Sequence, residues 1–130
     1  MSNNLFVPIF RIPANLMELE ESIAREFSAS NKQVPVAWYK TIKPNTHDLL
    51  EGFVYVQGCA AKDSCLLSFC YVEEPVRERG ELDLPYSAAI STEGNRDFLL
   101  LVARAMKNFG ARVLYDDSHY LGEVDTRNLT

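Results

Sequence analysis

The sequence predicts an α+β domain: an antiparallel or mixed sheet of five to six strands with two amphipathic helices packed on it. Three observations lead there. Stretches rich in β-branched and aromatic residues recur between turn residues at 5–12, 34–42, 52–59, 64–72, 86–92 and 112–115. Two longer stretches carry apolar residues at helical spacing. The resulting order, β-α-β-β-β-β-α-β, lacks the strict alternation of a parallel α/β sheet. A length of 130 residues and a hydrophobic fraction of 47% suit a single domain over 1–130 with a real core.

The first strand, "LFVPIFRI", contains Pro8, which has no N–H to give a ladder, so an edge or a bulge is expected there. The first helix opens at Asn15, a good N-cap, with Glu18 three residues on as in a capping box. Leu16, Leu19, Ile23 and Phe27 form its apolar stripe. "VPVAWYKTI" reads as the second strand, and "KPNTHD" after it as a turn. "GFVYVQGC" and "SCLLSFCYV" are joined by the short "AAKD" and form a hairpin. The second of these is apolar on both faces, which predicts a central strand covered on both sides. Residues 73–85 make a long polar loop, and "YSAAIST" is a strand whose small residues admit a close helix. The second helix has Asn95 as N-cap and Asp97 in its first turn. Its stripe is Phe98, Leu101, Val102, Ala105, Met106 and Phe109, and Gly110 supplies a left-handed cap. "RVLY" returns as a strand. Residues 116–130 are polar and end in a short strand or a loose tail, the tail placed at 121–130.

The net charge is -5, against a general nucleic-acid binder, which needs clustered Lys and Arg. Residues 1–65 hold seven acids and six bases, whereas 66–130 hold eleven and seven. The start has no basic segment ahead of an apolar run, and no run approaches the length that spans a bilayer. A cytoplasmic protein without membrane association is expected. Cys59, Cys65 and Cys70 then stay as thiols, with Cys65 and Cys70 read as small buried hydrophobes. Their spacing fits no zinc pattern, and no metal or cofactor is expected.

"DDSHY", residues 116–120, sets Asp, Ser and His side by side. Alternation along a strand would turn Asp117 and His119 one way and Asp116 and Ser118 the other, so no catalytic triad forms by adjacency. A small hydrolase using His119 with Asp116 or Asp117 is kept as an alternative. His47 could join these in a metal site, but lies far away in a turn. The start of the second helix offers free amides to an anion, as every helix start does.

The tyrosines and Trp38 lie mostly on strands, and some must face outward. Acidic residues crowd "EEPVRERGELD" and "DD", with tyrosines nearby in sequence. The segment "ISTEGNRDFLLLVARAMKNFGARVLYDDS", with the order of elements around it, resembles bacterial immunity proteins of polymorphic toxin systems (contact-dependent inhibition or type VI secretion). The resemblance covers mainly residues 84–118. It implies a cytosolic, non-enzymatic, single-domain binder that neutralises a toxin domain. The expected contact surface for a toxin with a basic cleft is Glu73, Glu74, Glu78, Glu81, Asp83, Tyr86, Asp116, Asp117 and Tyr120. A small acidic secretion chaperone, dimeric and with an apolar groove, is the rival.

Overall fold

The computed structural model describes residues 3–41, 49, 52–71, 84–116 and 119–124. Their elements are β1 (Asn3–Ile9), α1 (Leu16–Ala29), β2 (Val36–Thr41), β3 (Phe53–Gln57), β4 (Ser64–Tyr71), β5 (Tyr86–Thr92), α2 (Arg96–Ala105, continued by a 3-10 turn over Met106–Phe109), β6 (Val113–Asp116) and β7 (His119–Glu123). The α+β expectation holds. All seven strands form one sheet, in the order β2-β3-β4-β5-β1-β6-β7, and every pairing is antiparallel.

The strand beyond the expected count is β7. It uses Leu121–Glu123, where a short strand or a loose tail was expected, and Val124 is buried behind it, its N–H donating to the Arg112 carbonyl at 2.8 Å. Residues 125–130 lie outside the described set, as does the turn expected at "KPNTHD".

Alternation gives the sheet one dry face. Leu5, Val7 and Ile9 of β1, Val54 and Val56 of β3, Cys65, Leu67 and Phe69 of β4, Ala88 and Ile90 of β5 and Leu114 of β6 are all buried. Against them lie Leu19, Ile23 and Phe27 of α1 and Phe98, Leu99, Val102 and Met106 of α2 and its extension. The helices touch through Phe27 and Phe98, whose rings meet edge to face at 5.3 Å. Polar groups at this seam are matched. Ser22 Oγ donates to the Ala105 carbonyl at 2.6 Å, Asn108 Nδ2 donates to Ser22 Oγ at 2.7 Å, and Lys107 sits 3.3 Å from the buried Glu26 carboxylate.

Two expectations about strand position are corrected. Pro8 is neither at an edge nor at a bulge: β1 is an inner strand between β5 and β6. It is tolerated because the ladder to β6 is a single pairing, Phe6 with Tyr115, and stops before Pro8. Beyond it the chain end is held by Phe109, whose carbonyl accepts the N–H of Phe10 at 2.8 Å and of Arg11 at 3.2 Å. Strand β4 is covered on one side only. Cys65, Leu67 and Phe69 are buried, Leu66 and Ser68 are half-buried, and Cys70 is exposed, not a buried hydrophobe. Both helices pack on the same side, so an apolar strand here reports an apolar surface that no other described residue covers.

The helix ends follow the sequence closely. Asn15 caps α1, its Oδ1 accepting the Glu18 N–H at 2.9 Å. The return arm of the capping box is displaced by one residue. Glu18 accepts the Ala14 N–H at 2.7 Å, and Arg11 grips the same carboxylate through two bonds at 2.8 and 3.0 Å. Gly110 ends the second helical segment at φ +96°, and a Cβ on it would meet Phe10 Cβ at 2.5 Å.

Candidate binding surfaces

Tyr71 closes β4 directly opposite Tyr86, which opens β5. Their rings meet edge to face at 5.8 Å on the helix side of the sheet, at its end. Tyr86 packs against the core, while Tyr71 is 63% exposed. The pairing fixes the two ends of the acidic segment: the chain leaves the sheet after Tyr71 and returns to it at Tyr86, a neighbour across the ladder. Glu73, Glu74, Glu78, Glu81 and Asp83 lie on that segment, outside the described residues. The strand register thus sets Tyr71 and Tyr86 side by side at the two ends of the acidic stretch of sequence. Tyr71 is the contact candidate that sequence reasoning missed, because register decides which residue faces Tyr86.

The other predicted residues stand elsewhere. Asp116 belongs to the end of β6 beyond the Phe6–Tyr115 pairing, whereas Tyr86 pairs with Ile9. About four residues of β1 separate the two levels, roughly 13 Å along the strands. Asp116 is engaged by Arg96 of α2 at 3.7 Å, so its charge is already partly met. Tyr120 pairs with Tyr115 and stacks edge to face with it at 5.9 Å, on the face opposite to Tyr86. The structure therefore does not bring Tyr86, Asp116 and Tyr120 together. Asp117 lies outside the described residues.

One expectation about "DDSHY" is reversed. Asp116 and His119 are cross-strand partners, so they share a face. Simple alternation failed because the chain does not run on as one strand: it reverses between them. His119 is exposed, and among the described residues no group of three His, Cys, Asp or Glu side chains could hold a metal ion. His47 lies outside the described set.

The start of α2 is also unlike a free anion site. Asn95 Oδ1 accepts the Asp97 N–H at 3.0 Å, its Nδ2 donates to Asp63 at 3.0 Å, and its own N–H donates to the Lys62 carbonyl at 2.9 Å. A depression of about 180 Å³ beside it includes Asp63 and Asp97, whose charge opposes an anion. Gly94 lets the Lys62 turn approach: a Cβ there would overlap the Lys62 carbonyl oxygen.

The third surface is the uncovered face of the sheet. One row across it runs Phe53, Ser68, Ala89, Phe6, Tyr115, and the next runs Trp38, Tyr55, Leu66, Ser91, Asn4. Trp38, Phe53 and Phe6 are 43%, 42% and 40% exposed, and Trp38 packs on Tyr55 at 4.9 Å. Small residues between Phe53 and Phe6 leave a depression of about 170 Å³. The expectation that some strand tyrosines and Trp38 face outward pointed to part of this face. Its continuity across the sheet needed the strand order.

No family model, no curated protein and no solved structure matches the chain. No helix among the described residues is long and apolar enough to cross a membrane.

Proposed function

We propose that this chain is a cytoplasmic immunity protein that binds a cognate bacterial toxin domain and neutralises it. The observation that carries the reading is the Tyr71–Tyr86 pair, an aromatic base at the foot of a segment with five acids. A toxin with a basic substrate cleft offers the complementary surface. Glu73, Glu74, Glu78, Glu81 and Asp83 would speed encounter, and Tyr71 and Tyr86 would slow dissociation. Asp116 and Tyr120 stand away from that pair and, with Asp117, would serve only as a rim.

The experiment is co-expression with the product of the adjacent gene. Co-purification and rescue of growth are expected. Reversing the five acids of 73–83 to lysine should weaken capture and remove most of its salt dependence. Capture that is unaffected by that reversal would refute the surface.

The uncovered apolar face favours a second reading, a secretion chaperone. The two differ in client: a chaperone holds an extended segment of its effector, and an immunity protein holds the folded toxin domain.

A further inference from the structure

We propose that the uncovered face of the sheet is a self-association surface, and that its occupant is a second copy of this chain. This goes beyond toxin binding and concerns the opposite side of the sheet from the Tyr71–Tyr86 base.

Charge is the first argument. From β2 to β6 no described side chain on this face is ionisable to a carboxylate, an ammonium or a guanidinium: the positions are Asn, Gln, Ser, Ala, Pro, Val, Leu, Cys, Phe, Tyr and Trp. Lys40, at the β2 bulge, has its side chain outside the described set. In a chain of net charge -5, two copies repel each other unless the surface that joins them is neutral. This one is neutral, and charged residues are depleted at the centre of interfaces generally. A basic toxin, by contrast, would find no carboxylate among the described residues from β2 to β6 on this face.

Shape is the second argument. Phe53 and Phe6 stand as ridges, with Ser68 and Ala89 as the valley between them, all in one cross-strand row. The ridges are three strand spacings apart, roughly 14 Å, so the valley admits a ring from a facing copy. A two-fold arrangement seats each copy's Phe6 in the other's valley, and both contacts form at once.

Area is the third. Five strand spacings from β2 to β6 by the length of β4 give a flat footprint of ~24 Å by ~24 Å, of the order of the ~800 Å² per partner in standard interfaces once side-chain relief is added.

Cys70 provides a reporter on this face, in the row with Ser87 and Pro8, while Cys59 lies at the β3–β4 turn as an internal control. The test measures mass by light scattering and thiol labelling across micromolar concentrations of the intact chain. A dimer of twice 14.7 kDa is expected. The Cys70 labelling rate should fall roughly tenfold from low to high concentration while that of Cys59 stays constant. Ala89→Arg and Phe53→Asp should each give a monomer with unchanged circular dichroism. A monomer throughout, with concentration-independent Cys70 labelling, overturns the proposal. So does a dimer that survives both substitutions and leaves Cys70 open. A monomer that still captures toxin sinks only this inference, and a dimer that ignores the toxin sinks only the proposed function.

Discussion

Cys65 and Cys70 are five residues apart on one strand and have opposite fates. Burial pushes the Cys65 thiol up to about 12, so it yields almost no thiolate at neutral pH. Cys59 and Cys70 are exposed. Native protein at low concentration should therefore react with a thiol reagent at two sites, and the third should appear only on unfolding. Three fast thiols would contradict the burial of Cys65. Glu18 is the second residue with a clear consequence. The Arg11 guanidinium and the Ala14 N–H lower its carboxyl from 4.5 to about 2. A lowered carboxyl stabilises the fold fully above 4.5, and that contribution is lost as pH falls toward 2. The pair is exposed and solvent-screened, so Glu18→Gln should cost about 0.5 kcal/mol at pH 7 and flatten the stability curve between pH 5 and about 2. Urea titrations at several pH values check the slope. The sequence showed Glu18 as a capping residue. It did not show Arg11, because that partner arrives from the chain between strand and helix.

Elements were legible where a local rule decides them. Both N-caps, the left-handed Gly110 and the exact span of β5 follow from residues within one turn or one alternation. The β4–β5 and β6–β7 pairings were not, because register is set by partners distant in sequence or by a reversal. Gly94 shows the same limit: nothing local reveals that the Lys62 carbonyl occupies the space of its Cβ. Gly94→Ala should destabilise by about 2 kcal/mol, and Asn95→Ala by about 1 kcal/mol through loss of the cap. Thermal unfolding of the two variants measures both. If Gly94→Ala were neutral, the close approach of the β3–β4 turn to the start of α2 would be wrong.

At the scale of the molecule, two helices cover one face of a seven-stranded sheet, and no helix or strand among the described residues covers the other. Sequence periodicity identified the class but could not assign β1 to the interior or place both helices on one side, since chain order does not set strand order in a sheet whose first strand lies between its fifth and sixth. The acidic surface read from adjacency in sequence divides in space. The Tyr71–Tyr86 pair brackets the 73–83 stretch in sequence, and Asp116 and Tyr120 stand away from that pair. The most direct measurement is affinity for the co-expressed toxin, in wild type, in the 73–83 charge reversal and in Ala89→Arg. Toxin capture should fall by at least about tenfold on charge reversal, in line with the loss of several steering and contact charges, and should persist in Ala89→Arg. Undiminished capture after charge reversal, or no capture by the wild-type chain, would contradict toxin binding through the acidic, tyrosine-based end.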